Sequence, residues 1–371
     1  MRPIPLIRPY ITEEVKTKVC EVLDSGYLTE GPVAKELEEA FTSYVGCKHS
    51  IAVTSCTTGL EIALRALQIG SGDEVIVPDY TYPATADVVA IVGATIVLVD
   101  VSPATMLIDY DRLEEAITDR TKAIIPVSLF GNPLDYDRLT ALQHKYGVAI
   151  IEDAACAIGA EYKGVKVGNQ ADIAVFSLHP RKFITTGEGG MIVTNHFQSA
   201  EWMRSYKHFG MGVQDSRLTT SFDRIGTNYK LSDLLAAVGV VQMRHIHELL
   251  QRRLELAHNY RNLLQGRSTI TIPETTSSGA HSYQSFCILI EERNRIMQQL
   301  RAEGIEVQIG TYALHQHPAF ISGNACRIHG KLTGSQYAFE HCLTLPLFHE
   351  LTYEDQQRIV DTLCNALQGR L

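Results

Sequence analysis

The sequence predicts an α/β protein built on a mostly parallel sheet, with a smaller α+β part at its C-terminal end. Three observations carry this. Between residues 50 and 153, short β-rich runs alternate with stretches of helical periodicity, the pattern of successive βαβ units. The runs Val75-Ile76-Val77 and Ile96-Val97-Leu98-Val99 are apolar at every position, as strands covered by helices on both faces are. After Asp153 the alternation stops, and a long helical pattern separates it from a second group of strands and helices.

In chain order, strands are predicted over 50–55, 74–78, 95–101, 123–129 and 149–153, with helices over 58–67, 87–92, 110–116 and 136–146 between them. Strands over 173–177 and 191–194 follow, joined by a loop with no crossover helix, so these two are expected to lie antiparallel. Ser232 is a candidate N-cap for one long helix, in which Ile246, Leu250, Leu254, Ala257, Tyr260 and Leu264 recur at spacings of three and four. That helix is expected to bridge two domains, 1–245 and 246–371. The second begins with a Pro/Thr/Ser/Gly-rich segment over 272–280, then a strand over 285–290, a helix over 293–303, a strand over 306–309 and a final helix over 354–367.

The chain has 371 residues, enough for two domains, and its 45% hydrophobic and 20% charged content excludes disorder and repeat fibres. The 33 Lys and Arg against 42 Asp and Glu give a formal charge of -9, which removes any global basic field for nucleic acid or an anionic membrane. No apolar run reaches the length of a membrane span, and the Met1-Arg2-Pro3-Ile4-Pro5 start lacks a signal-peptide pattern, so a cytoplasmic location is expected. The eight cysteines show no Cys-x-x-Cys and no paired spacing, which suits reduced thiols.

Several motifs fail on inspection. Gly70-x-Gly72 precedes a strand and Gly210-x-Gly212 lacks a third glycine, so neither is a dinucleotide fingerprint. Gly159 and Gly164 have P-loop spacing, but Val165 stands where the lysine is needed. His245-x-His247-Glu248 and His315-Gln316-His317 do not complete His-Glu-x-x-His, and no metal is expected.

The informative stretch is Ala149-Ile150-Ile151-Glu152-Asp153-Ala154-Ala155-Cys156, followed by Lys182 within His179-Pro180-Arg181-Lys182-Phe183-Ile184-Thr185-Thr186-Gly187-Glu188-Gly189-Gly190. A carboxylate at the C-terminal end of an apolar strand lies where α/β sheets bind ligands. A lysine in a Gly/Thr-rich loop between two later strands can reach the same crevice. An amine able to form a Schiff base, with an acid to keep a pyridinium nitrogen protonated, is the minimum equipment for pyridoxal phosphate chemistry.

At these residues the sequence resembles the DegT/DnrJ/EryC1/StrS family of sugar aminotransferases, pyridoxal phosphate enzymes of fold type I. The resemblance extends over Gly26 to Pro32, Ser55 to Leu60, Val77 to Thr85, Glu152 to Ala155, Lys182 to Gly190, Gly226 to Asp233 and Leu345-Pro346-Leu347. It implies an aspartate aminotransferase-like large domain with a mixed, mostly parallel seven-stranded sheet and a small C-terminal domain. It also implies site roles. Lys182 carries the cofactor and Asp153 pairs with its ring nitrogen. Tyr82 stacks on the ring, while Thr57, Thr58 and Ser177 receive its phosphate. Asn228 reaches the phosphate of a partner subunit, so the active sites of a homodimer are shared. Thr57 and Thr58 also fall between a strand and a helix, where free N–H groups favour an anion, although an ordinary N-cap has the same sequence.

One position departs from the family, which usually has Gln or His where this chain has Cys156; a thiol makes a weaker hydrogen bond to the cofactor. Dehydratase relatives carry histidine in place of Lys182, so the resemblance implies transamination. The donor is then an amino acid, expected to be L-glutamate, and the acceptor a keto group on a nucleotide-activated sugar, for a surface polysaccharide or a natural product. A sugar dehydratase of the same fold, a cyclitol aminotransferase and a non-catalytic regulatory relative remain alternatives at this level. The anionic substrate calls for a pocket more basic than the overall charge.

Overall fold

The structure, a computed structural model, describes residues 2–212, 218–321 and 325–369. Its centre is an eight-stranded sheet. In spatial order the strands are His49–Val53, Gly190–Thr194, Ile173–Ser177, Ala149–Asp153, Thr121–Ile124, Glu74–Pro78, Thr95–Val99 and Cys326–Ile328. Gly190–Thr194 pairs antiparallel with Ile173–Ser177, as expected, and also with His49–Val53, and the remaining pairs are parallel. Val53, Pro78, Asp153 and Ser177 therefore all end at one edge of the sheet, and Gly190 begins there.

The local rules behind these elements are legible. Strand Glu74–Pro78 is buried at every position, which matches its unbroken apolar run. Side-chain oxygens of Ser55, Asp109, Asp135, Ser232 and Thr352 accept from first-turn N–H groups and start the helices that follow. Helices Tyr110–Ala116 and Tyr136–Tyr146 have the expected bounds. Apolar clusters lie on either side of the sheet, one including Phe41, Val97, Ile124 and Phe176, the other Leu60, Val75, Ile151 and Val175. A third gathers Leu256, Tyr260, Phe286, Leu343, Ile359 and Leu363 around Ile4 from the N-terminus.

Four differences from the sequence expectation stand out. The sheet has an eighth strand, because Cys326–Ile328 adds in parallel to the edge strand Thr95–Val99. The long helix is two helices, Asp233–Arg244 and Ile246–Leu264, broken at His245. The strand expected over 123–129 ends at Ile124 and gives way to a tight turn at Leu129–Gly131. The first 45 residues form helices Glu13–Ser25 and Pro32–Val45, the second held at its N-terminus by Asp233, whose carboxylate accepts from the N–H groups of Gly31, Val33 and Ala34 at 2.8, 3.1 and 2.8 Å.

In the C-terminal part, Cys342–Leu345 is the central strand, antiparallel to both Phe286–Leu289 and Gln308–Ile309. Tyr312–Ala313 pairs with Tyr80–Thr81, bringing residues 308–317 to the C-terminal edge of the main sheet. No helix among the described residues is long and apolar enough to cross a membrane.

Candidate active site

A cavity of about 540 Å³ opens at this edge. Ser55, Cys56, Thr57, Tyr82, Asp153, Cys156, Ser177 and Lys182 all line it. Leu6 and Ile7 from the N-terminus, Phe130 from the turn after strand Thr121–Ile124, and Ile309, Leu345 and Leu347 from the C-terminal part form an apolar wall. Its position is the crevice outside the carboxyl ends of parallel strands, where open α/β sheets bind ligands.

Asp153 closes strand Ala149–Asp153, and successive side chains of a strand face opposite ways. Its neighbour Glu152 turns away, accepting from Tyr136 Oη at 2.7 Å and from Ser128 Oγ, and burial pushes its pKa up to about 7. Asp153 faces the cavity. One oxygen accepts from Thr85 Oγ1 at 2.8 Å; the other accepts from the Ala155 N–H at 3.1 Å and faces the Cys56 thiol at 3.9 Å. Burial raises its pKa against the pull of those donors and of Lys182. A buried carboxylate met mainly by neutral donors is the complement of a protonated ring nitrogen.

Lys182 extends its Nζ to 3.0 Å from Cys156 Sγ. Burial works against the ammonium, but the Cys156 sulfur and the Asp153 carboxylate outweigh it and hold the lysine above its ordinary value.

Helix Cys56–Ala66 starts at the cavity, and its residues divide the work. Ser55 Oγ accepts the Thr58 N–H at 3.1 Å, and Thr58 Oγ1 accepts the Ser55 N–H at 3.1 Å in return. The first-turn N–H groups of Cys56 and Thr57 are left for an anion. Thr57 lines the cavity, whereas Thr58 lies outside its lining and exchanges these bonds with Ser55. Gly190 packs so closely against the helix start that a Cβ there would lie 2.5 Å from the Ser55 carbonyl carbon and 2.6 Å from the Cys56 nitrogen.

Tyr82 is 65% exposed beside the cavity, with its ring centroid 6.2 Å from that of Tyr312. Asn228 is exposed, does not line the cavity of its own chain, and accepts from Lys230 Nζ at 2.5 Å. His315 locks the 308–317 segment in place: its N–H and Nδ1 each lie 2.7 Å from the fully buried Asp79 carboxylate.

Charge in the cavity is balanced rather than basic, since Arg181 and Lys182 are matched by Asp153 and Glu188. Among the described residues, the cavity lining of one chain is not the basic pocket expected from the sequence. Thr85, Cys56 and Gln284 also belong to the site; Thr85 and Cys56 lie inside the motifs quoted above, while nothing in the sequence singles out Gln284.

The donor set fits pyridoxal phosphate: an amine for its carbonyl, a buried carboxylate for its ring nitrogen, and N–H groups and hydroxyls for its phosphate. The fold and this site together define a pyridoxal phosphate-dependent enzyme of fold type I. Comparison with known proteins places it more closely. The model of the DegT/DnrJ/EryC1/StrS aminotransferase family matches residues 9–364, and the chain belongs to that family. Among solved structures it is similar to Spr1654 of Streptococcus pneumoniae in its PMP form, at 31% identity, with all of both chains covered and a TM-score of 0.92. DesV of S. venezuelae is 32% identical over 98% of each chain, with a TM-score of 0.90. PseC of Helicobacter pylori, an aminotransferase involved in the biosynthesis of pseudoaminic acid, is 26% identical over 99% of this chain and 100% of its own, with a TM-score of 0.92.

Proposed function

We propose that this aminotransferase moves an amino group from L-glutamate to a keto group of a nucleotide-activated sugar, in the cytoplasm, for an amino sugar of a surface polysaccharide or a natural product. The observation that carries the reading is the convergence of Lys182 Nζ, Cys156 and the Asp153 carboxylate in one cavity at the C-terminal edge of the sheet.

When bound, pyridoxal phosphate supplies a carbonyl that takes up the donor's amine and an electron-poor ring that stabilises negative charge beside it. The chain supplies the rest. Asp153 holds a proton on the ring nitrogen. Lys182 Nζ would take the proton from the donor's α-carbon and deliver it two bonds away, across the nitrogen, to the carbon that had been the cofactor's carbonyl, acting as general base and then general acid. The N–H groups of Cys56 and Thr57, with the hydroxyls of Thr57 and Ser177, receive the phosphate, and Tyr82 covers the ring face.

Homodimerisation with shared sites is part of the proposal, as is the division into domains 1–245 and 246–371. Three exposed apolar side chains near Asn228 support the first: Leu218 and Ile225, 97% and 96% exposed, and Phe222. The balanced charge of the cavity supports it too, because an anionic sugar nucleotide then needs cations from a partner. The break at His245 and the separate C-terminal core support the second.

The test is a mass-spectrometric screen of keto nucleotide sugars with glutamate as donor, run beside Lys182→Ala. An aminated sugar nucleotide formed by the native protein alone is the expected result. Turnover of keto-cyclitols in preference to every sugar nucleotide would reject the substrate class.

A further inference from the structure

Gln284 lies just before strand Phe286–Leu289 in the C-terminal part of the chain, yet it is only 6% exposed and its side chain reaches the turn that carries Lys182. Its Oε1 accepts the Phe183 N–H at 2.6 Å, and its Nε2 donates to the Arg181 carbonyl at 2.7 Å. One amide therefore grips the peptide groups on both sides of Lys182. The orientation of the amide is fixed by this pair, because flipping it would set donor against donor and acceptor against acceptor.

Gln284 is itself anchored. The buried Arg253, on helix Ile246–Leu264, donates from Nη1 to the carbonyls of Tyr283 and Gln284 at 3.0 and 2.9 Å. Its guanidinium also lies 4.9 Å from the centroid of the Phe183 ring. Arg181 Nη1 also reaches Gln308 Oε1 on a C-terminal strand, at 3.5 Å, while two further bonds, from the Lys182 N–H to the His179 carbonyl at 2.8 Å and from the Arg181 N–H to His179 Nδ1 at 3.2 Å, are internal to the turn. These internal bonds shape the turn without fixing it against the C-terminal strands.

We propose that Gln284 is a positioning residue for Lys182: it clamps the turn from both sides and keeps the amine aimed between Asp153 and Cys156. This rests on the reading of Lys182 as the amine that moves the proton. Such a transfer is sensitive to placement, and a displacement of about 1 Å carries a loss of roughly 10²-fold.

Two variants and one measurement on the native holoenzyme test it. Gln284→Met keeps the length and removes both hydrogen bonds; kcat is expected to fall about 10²-fold at every pH with the donor KM little changed. Gln284→Glu carries the discriminating readout. Protonated, the introduced carboxyl offers one acceptor and one donor, like the amide; ionised, it turns an acceptor toward the Arg181 carbonyl. Its activity relative to the native enzyme is therefore expected to recover as pH falls and to be lost as pH rises, a dependence that a merely structural role would not produce. In the native holoenzyme, hydrogen exchange at the Phe183 amide is expected to be strongly protected.

Native-like kcat in Gln284→Met, a pH-independent activity ratio in Gln284→Glu, or rapid exchange at Phe183 would each overturn the clamp. The exchange measurement needs no variant to fold. Lys182→Ala separates the two claims: if it still transaminates, the reading of Lys182 fails, whereas if it is inactive and the Gln284 variants behave as the native enzyme, only the clamp fails.

Discussion

Lys182 Nζ and Cys156 Sγ stand 3.0 Å apart, so the lysine of the site is held by a thiol. The contact has a consequence for pH. An amine adds to a carbonyl only after it has lost its proton. Burial alone would favour that loss, but Cys156 and Asp153 hold Lys182 above its ordinary value. Uptake of pyridoxal phosphate by the cofactor-free protein should therefore accelerate as pH rises. Removing a group that favours the ammonium lowers the midpoint, so Cys156→Ala is predicted to move the uptake profile to lower pH, read by stopped-flow absorbance. An unmoved or raised midpoint would contradict the assignment. Cys156→Gln should keep or raise cofactor affinity with the fold intact.

The Asp153 carboxylate leads to a second prediction. Asp153→Asn should still bind the cofactor, since the phosphate contacts remain, but its donor half-reaction should slow by about 10²-fold, the scale for losing one aimed electrostatic group. Near-native half-reaction rates in that variant would remove Asp153 from its role.

Thr85→Val acts on the same carboxylate more gently and has a definite sign. The Thr85 hydroxyl, 2.8 Å away, lowers the Asp153 pKa against the burial that raises it. Without the hydroxyl the pKa rises further, so the acid limb of the half-reaction's pH profile should move to higher pH. The measurement is the cofactor absorbance change on mixing with glutamate across pH, and a limb that moves to lower pH refutes the prediction.

Gly190 leads to a further prediction. A Cβ at this position would meet the backbone of Ser55 and Cys56 at 2.5 to 2.6 Å, a contact that the helix start must shift to relieve. Gly190→Ala is expected to weaken phosphate binding in particular: the cofactor should be lost on dialysis, and inorganic phosphate should no longer compete for the site. Native cofactor affinity in this variant would show that the N–H groups of Cys56 and Thr57 are not the phosphate cradle.

How much of this was legible in the sequence depends on how local the cause is. Strands such as 149–153 and 173–177 and helices 110–116 and 136–146 follow from apolar runs and nearby caps, and their bounds match. The break at His245 has no Gly or Pro to announce it. The helix before it packs against helices Glu13–Ser25 and Pro32–Val45 and the helix after it joins the C-terminal core, so tertiary packing sets the break. Strand Cys326–Ile328 was illegible for a related reason: three residues gain their strand character only by pairing with Thr95–Val99. In the site, Lys182, Asp153 and Cys156 were readable because they sit in dense motifs. Gln284 was not, since its meaning depends on a turn about a hundred residues earlier in the chain. That Thr58 exchanges capping bonds with Ser55 needed coordinates, because an N-cap and a phosphate cradle share one sequence pattern.

The last prediction concerns where Asn228 acts. It is exposed, lies outside the cavity lining of its own chain, and has the exposed side chains Ile225, Phe222 and Leu218 nearby in sequence, the surroundings of a residue that meets another subunit. If it completes the phosphate site of a partner, Asn228→Ala and Lys182→Ala each disable a different half of every shared site. Mixing the two variants under conditions that exchange subunits then yields mixed dimers with one doubly defective site and one intact site, and activity returns toward half of the native value per mixed dimer. If both residues act within one chain, every site keeps a defect and nothing returns. The comparison requires Asn228→Ala alone to be severely impaired, which cofactor titration establishes beforehand, and exchange to be complete, which native mass spectrometry follows directly. With both conditions met, an absence of recovered activity excludes the shared site and assigns the Asn228 requirement to the same chain as Lys182.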